Sequence, residues 1–344
     1  MSKRKIFIAF LVVFSISLSS FSFYFYQVIN SPNILVDKES RYLYIPTGAS
    51  FSDVQTSLYE QGIVNNLVAF SFLAKIMNYD KLVKPGKYLL AGNMNNREAI
   101  RMLRAGEQVP VNITFNNVRL MEDFPPKICH GIELKPADFQ VKLGDSAVWR
   151  GYGFNDNTFK CMFIPNTYEV YWTISADELL DRMYEEYENF WDNSRRSKAD
   201  SAGLTPVEVT VLASIVKAEC RMNEEAPVIA GLYINRLKRN YALQADPTVV
   251  YANRDFSIKR VLNKHKEIDS PYNTYLYPGL PPGPINMPEP VYIDAVLNYS
   301  RHNYLYMVAK ADFSGYHEFS TNLQDHLAHA ARYQRALNKE GIYR

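Results

Sequence analysis

The 344-residue sequence has no charge excess: 38 Lys and Arg stand against 36 Asp and Glu, a formal net charge of +2. A protein that grips DNA or RNA by its phosphates usually carries a strongly basic domain, so the balance argues against nucleic acid as a partner. Cysteine is scarce, at three: Cys129, Cys161 and Cys220. In an oxidising compartment Cys129 and Cys161 could pair, closing a loop of about 32 residues, and the odd number leaves at least one thiol free. No Gly-rich phosphate loop, Cys-x-x-Cys or His-Glu-x-x-His occurs, so phosphate-cradling, dithiol and zincin chemistries lack their motifs. His326-x-x-His329 has metal-like spacing without an accompanying ligand pattern. Neither a cofactor nor a metal is expected. What is plentiful is apolar and aromatic: 47% hydrophobic residues, with 25 Tyr and 19 Phe. The length suits two or three globular units. The aromatic share suits core bulk or stacking platforms for sugar-like ligands.

Lys3-Arg4-Lys5 precedes an apolar run at 6–26 with no charged residue. About 21 residues at 1.5 Å each cover the roughly 30 Å hydrocarbon core. Tyr24 and Tyr26 fall at an interfacial position, and the basic cluster predicts a cytoplasmic N-terminus. The run exceeds a signal-peptide core and lacks an Ala-x-Ala-like site. The expectation is an uncleaved anchor at 6–27 after a tail at 1–5, with the remaining chain outside the cytoplasm.

Tyr42 to Ile45 reads as a strand, and Ser50-x-x-Asp53 as a capping-box start for a helix stopped by Gly62. Asn65 or Asn66 caps a helix at 67–77, Pro85-Gly86 opens a second strand, and Asn95-x-x-Glu98 starts a helix ending at Gly106. Strand–helix–helix–strand over 40–110 resembles the LysM-type carbohydrate-binding module. Residues 111–198 form an intermediate segment of strand patches and short helices, with a capped helix from Ser175. The polar stretch 193–202 reads as a linker or loop. The last unit is 199–344. The fold class is α+β: a transmembrane helix, a LysM-like βααβ module and a mixed α/β C-terminal domain.

Thr205-Pro206-Val207-Glu208 has the signature of a helix N-terminus. Val211, Leu212, Ile215 and Val216 define one buried stripe, which Glu219 continues. Burial and the helix's negative end both disfavour the charged carboxylate, raising its pKa toward that of a general acid. Beyond it, Leu243 to Tyr251, Asp269 to Tyr275 and Gly279 to Ile285 mix polar groups, aromatics and Pro/Gly turns. They read as fixed loops presenting hydroxyl, amide and aromatic groups around a pocket.

The segment 212–333 resembles the endolytic murein transglycosylase (YceG-like) family. The matching pieces are Ala213-Ser214-Ile215-Val216-x-x-Glu219, Glu225, Asn235-Arg236-Leu237 and Leu243-Gln244-x-Asp246-Pro247-Thr248-Val249-x-Tyr251. They continue with Ser270-Pro271-Tyr272-Asn273-Thr274-Tyr275, Gly279-Leu280-Pro281-Pro282-Gly283-x-Ile285, Tyr304-Leu305-Tyr306-x-Val308-Ala309 and His317-x-Phe319-x-Thr321-x-Leu323-x-x-His326. The resemblance implies cleavage of peptidoglycan glycan strands between MurNAc and GlcNAc, leaving 1,6-anhydro-MurNAc, with Glu219 as the catalytic residue. One carboxyl suffices: it protonates the leaving oxygen, then takes the proton of the sugar's own 6-hydroxyl as that oxygen closes on C1. Gln244, Asp246, Tyr272 and Asn273 are expected to hold sugars or orient Glu219. Asn235, Tyr251 and Tyr275 are further binding candidates, and Glu225 and Arg236 are contacts or structural partners. Anchor and family together suggest nascent strands beside peptidoglycan synthases. The chain departs from the family at Lys160-Cys161 and Asn166, where the family has Glu-Gly and an Asp.

Two rivals remain. A hydrolytic muramidase would use Glu219 as acid with Asp246, Asp269 or Glu225 positioning water. A non-catalytic glycan-binding scaffold would leave Glu219 as a helix-end residue. Ser214-Ile215-Val216-Lys217 matches a penicillin-binding Ser-x-x-Lys, but its companion motifs are absent. Cys220 beside a His would be a thiol nucleophile only on weak spacing.

Overall fold

The computed structural model describes residues 3–258 and 260–340; residues 1–2 of the expected tail and 341–344 of the expected C-terminal domain lie outside these. The chain mixes helices and short strands, and divides into two compact units.

The first unit comprises Met1–Asn112 with two short returns, Gly131–Leu134 and Glu169–Ile174. α1 (Lys3–Asn30) carries the apolar run and is long and apolar enough to cross a membrane. Then come β1 (Pro32–Ile34), β2 (Arg41–Ile45), α2 (Phe51–Glu60), α3 (Leu67–Ile76), β3 (Gly86–Leu90), β4 (Met94–Asn95) and α4 (Asn96–Ala105). β2 pairs antiparallel with β3, Leu43 opposite Tyr88. Their period of two sends Leu43 and Ile45 into the core and Tyr42 and Tyr44 outward. Both predicted capping boxes form: Ser50 with Asp53 starts α2, and Asn95 with Glu98 starts α4, which Gly106 ends in the left-handed region.

The second unit comprises Ile113–His130, Lys135–Tyr168 and Ser175–Arg344. β5 (Val111–Thr114), α5 (Phe124–Ile128), α6 (Pro136–Leu143), α7 (Ser146–Gly151), β6 (Thr167–Val170) and α8 (Ala176–Phe190) lead into it. The expected linker at 193–202 is instead a helix, α9 (Asn193–Ala202), capped by Asp192 and closed by Gly203 in the left-handed region. Only Ala199 and Ala202 of α9 are buried, so it needs no apolar periodicity.

α10 (Pro206–Glu219) forms as predicted: Thr205 and Glu208 close a capping box around Pro206. It does not carry a single stripe, however. Every residue from Val209 to Val216 is buried, because α9, α11 (Ala226–Lys238), α12 (Asp246–Asn253) and α13 (Pro290–Leu297) all pack against it. A helix apolar all round is a core helix. α12 also corrects the loop reading of 243–251, with Pro247 in the first turn where its missing N–H costs nothing. The hairpin β7 (Tyr306–Ala309) and β8 (His317–Ser320) and the helix α14 (Leu323–Lys339) complete the unit.

Cys129, Cys161 and Cys220 are free, buried thiols, so the Cys129–Cys161 pair is not made. Burial pushes them up to about 11, about 12 and about 11 respectively, leaving them protonated and inert.

Candidate active site

Glu219 ends α10, and the backbone turns extended at Cys220. The core helix thereby delivers its last side chain to the edge of the buried region. Tyr233, on the facing side of α11, donates from Oη to Glu219 Oε1 at 3.2 Å. Burial holds the Tyr233 phenol far above its ordinary range, so it stays a donor. Burial also raises the Glu219 carboxyl to about 7, and the charge of Asp246 pushes the same way. The Tyr233 hydrogen bond and the Arg236 guanidinium oppose the rise without cancelling it. A neighbouring carboxylate thus joins burial in raising Glu219, which also stands at the C-terminal end of α10 as expected from sequence.

Asp246 opens α12 and accepts a 2.6 Å hydrogen bond from Tyr275 Oη. Gln244, just before it, is exposed and held at φ +47°, a strained conformation for a non-glycine residue, by its N–H donating to Thr274 O at 3.0 Å. Two cavities meet at this carboxylate pair. One, of about 550 Å³, is lined by Arg119, Arg221, Tyr251 and Asn286 among others. The other, of about 410 Å³, is lined by Arg236, Gln244, Tyr275, Tyr306 and His326. Glu219 and Asp246 line both. A carboxyl half protonated near neutral pH, with room on two sides, can pass a proton to and from a bond that spans it.

The other candidates sit in supporting positions. Glu225 is buried, and its carboxylate accepts from His317 N at 2.9 and 3.2 Å and pairs with His317 Nδ1 at 2.9 Å, fixing β8. Asn235 Nδ2 donates to the carbonyls of His302 and Tyr304 at 2.7 and 3.1 Å. Arg236 reaches the second cavity but spends its donors on Leu305, Ala242 and Leu243 carbonyls. Asn273 is fully buried and ties its own loop through Lys266 O and Ile268 O. Tyr272 packs on Tyr251, ring centroids 4.8 Å apart, and its hydroxyl donates to Asn157. Asp269 accepts from Tyr277 and lines neither cavity.

The Ser-x-x-Lys pair is also structural. Ser214 Oγ donates to Val211 O and accepts from Ile285 N, while Asn286 donates to Ser214 O, pinning the Gly/Pro-rich loop to α10. Lys217 pairs with Glu289 at 2.6 Å. Lys160, at the departure from the family pattern, is buried and donates to Arg119 O, Pro284 O and Tyr251 Oη at 2.8, 3.2 and 3.1 Å. Burial lowers its pKa only to about 8, so it remains largely a cation there. Asn166 is exposed and caps Thr167 N. Sequence reasoning missed Tyr233; its spacing of 14 residues from Glu219 reflects helix–helix packing, which no local motif encodes. It also set aside His326, whose ring lies 5.2 Å from that of Tyr306 and whose buried Nδ1 has no partner among the described residues.

The model of the YceG-like family matches residues 43–332, taking in both units and the carboxylate pair. The chain belongs to the YceG-like family. This YceG-like chain is 26% identical over 360 residues to a protein of Streptococcus pneumoniae serotype 2 strain D39 named endolytic murein transglycosylase. That match covers 94% of the chain but 64% of the relative, so the chain spans less than two thirds of the pneumococcal protein's length. A Bacillus subtilis strain 168 protein of the same name is 26% identical over 323 residues, covering 89% of each. The crystal structure of a yceG-like protein from Listeria monocytogenes superposes with a TM-score of 0.55 at 27% identity, covering 84% of this chain and 98% of that one.

Proposed function

We propose that this protein is an endolytic peptidoglycan lytic transglycosylase, cutting glycan strands between MurNAc and GlcNAc with Glu219 as sole acid and base. The observation that carries the reading is the position of Glu219 where two cavities meet. A polymer lying through both would bring an internal glycosidic bond, not a chain end, to the carboxyl. Protonated Glu219 would give its proton to the leaving oxygen, and the resulting carboxylate would take the proton of the MurNAc 6-hydroxyl as O6 closes on C1. No water enters, and the product carries a 1,6-anhydro ring. Tyr233 would keep the carboxyl oriented. Gln244, Asp246, Tyr251 and Tyr275 would contact or position the sugars, and Glu225, Asn235, Arg236, Tyr272 and Asn273 would hold the walls that do so. The names of the two relatives support the substrate class.

One observation favours a second reading: Asp246 stands beside Glu219 at both cavities, as the water-activating carboxylate of a hydrolytic muramidase would. Mass spectrometry of digested glycan separates the two. Anhydro-ended fragments, lost on Glu219→Gln, support the lyase; fragments heavier by one water support the muramidase; glycan binding without cleavage leaves a scaffold.

We further infer that α1 anchors the chain through 6–27, with its basic N-terminus in the cytoplasm and the rest outside the plasma membrane. Residues 40–110 serve as a LysM-like glycan-binding module, 111–198 as a connecting segment and 199–344 as the catalytic domain. Such an anchor would hold the site near nascent strands and the synthases that make them.

A further inference from the structure

α1 does not stop where its apolar run ends. It continues unbroken to Asn30, and its last turn is built into the first unit: Val28 is buried in that unit's core, and Asn96 Nδ2 donates to Val28 O at 2.8 Å. Among the described residues no linker separates the apolar helix from the folded unit, so helix geometry sets how far the unit stands from the span. Phe25 lies one residue before the end of the apolar run, which at a rise of about 1.5 Å is essentially its boundary. The Phe25 ring stacks on Phe21 below it, centroids 6.3 Å apart, and meets Phe72 of α3 edge-on at 6.5 Å. Phe72 is therefore level with the edge of the hydrocarbon.

α3 is apolar on two sides. It buries Ala69, Phe70, Leu73 and Ala74 in the unit's core. On the opposite side Val68, Phe72 and Ile76 are 77%, 47% and 50% exposed, and their i, i+4, i+8 spacing makes a second stripe. α3 contains no acidic residue, and its one charge is the exposed Lys75 in the last turn, which can lay its methylenes along the stripe and its ammonium toward lipid phosphates.

We propose that the outer face of α3 is a membrane-docking surface: Val68, Phe72 and Ile76 enter the headgroup–acyl boundary of the bilayer that α1 crosses. The first unit is then held to the membrane at two places and cannot swing on a single helix. This rests on the reading of α1 as an anchor. The geometry matches in scale, since interfacial helices bury their apolar face about 5–10 Å into that boundary and the interfacial layer is roughly 5–7 Å thick on each side.

The test uses the full chain reconstituted in phosphatidylcholine–phosphatidylglycerol vesicles, with an environment-sensitive fluorophore on single introduced cysteines. The three native thiols are buried, and the parent chain sets the labelling background. Probes go on Val68→Cys, Ile76→Cys, Tyr59→Cys on α2, which is 68% exposed, and Leu18→Cys in the middle of α1. Val68 and Ile76 probes are expected to shift to shorter wavelength and lose emission when nitroxide-labelled lipid is included, while the Tyr59 probe keeps its aqueous spectrum. Quenching at Leu18 with none at Val68 or Ile76 leaves the anchor standing and overturns the docking. No quenching at Leu18 overturns the anchor reading itself. A wavelength shift at Val68 without nitroxide quenching assigns the face to a protein contact and also overturns the docking.

Discussion

Two acidic side chains six positions apart, Glu219 and Glu225, are treated by the fold in opposite ways. Glu225 is buried and satisfied: a backbone N–H and an imidazole nitrogen of His317 occupy its oxygens, and the pairing ties α11's entrance to β8. Among the described residues Glu219 has one hydrogen bond, from Tyr233, a second carboxylate nearby, and a cavity on each of two sides. A carboxylate given donors stabilises a structure. One given few is pushed toward protonation, the state a general acid needs. Burial alone would not have told the two apart; the count of donors does.

The sharpest way to break this contrast is to remove each carboxylate. Glu219→Gln is expected to lower glycan cleavage by about 10²–10⁴-fold, the usual worth of a general acid–base group, measured as the release of soluble fragments. The same substitution should stabilise the fold at alkaline pH. The folded carboxyl titrates at about 7 against an ordinary 4.5, so the protonated form's contribution is complete below 4.5 and lost as pH rises through 7. Above that, Glu219→Gln should gain roughly 1–3 kcal/mol over wild type, with the difference vanishing near pH 4. Thermal melts at the two pH values check it; equal differences at both would remove the ionisation cost from the account.

Glu225→Ala should do the reverse. Leaving the His317 N–H and imidazole without their acceptor is expected to cost roughly 3 kcal/mol of stability, read as a lowered denaturation midpoint. Cleavage per folded molecule should change far less than in Glu219→Gln. A loss of cleavage at full stability would move Glu225 from the scaffold into the chemistry and dissolve the contrast.

The parts of this molecule that sequence predicts are those whose physics is local. The capping boxes at Ser50, Asn95, Ser175 and Thr205 all form, because donor and acceptor lie three residues apart. The end of α10 at Glu219 follows from the same start and the apolar run after it. What escaped had non-local causes. α9 is helical with two buried alanines as its only core contacts, and 246–253 coils although its Pro and polar residues look like a turn. The identity of the group that joins burial in raising Glu219 also escaped: Asp246 arrives from a different helix, 27 positions on. Motif resemblance already set Glu219 apart and offered Glu225 as a structural partner, but it grouped Asp246 with Asn273; the fold separates those two, with Asp246 lining both cavities and Asn273 fully buried in its own loop.

The smallest expected effect sharpens the comparison most, because it tests how Glu219 is kept poised and not whether it matters. Asp246 and Tyr233 act on the carboxyl in opposite directions, the first raising and the second lowering its pKa. The acid step needs the protonated form, so cleavage should decline as pH rises through about 7. Asp246→Asn removes a negative neighbour and should move that decline to lower pH. Tyr233→Phe removes a donor to the carboxylate and should move it to higher pH, each by about one unit or less. Both variants will also change the rate, since each contacts the site; the opposed displacement of the alkaline limb is what a purely structural role would not produce. If both limbs move the same way, the group titrating in the profile is not Glu219, and the contrast with Glu225 would then rest on geometry alone.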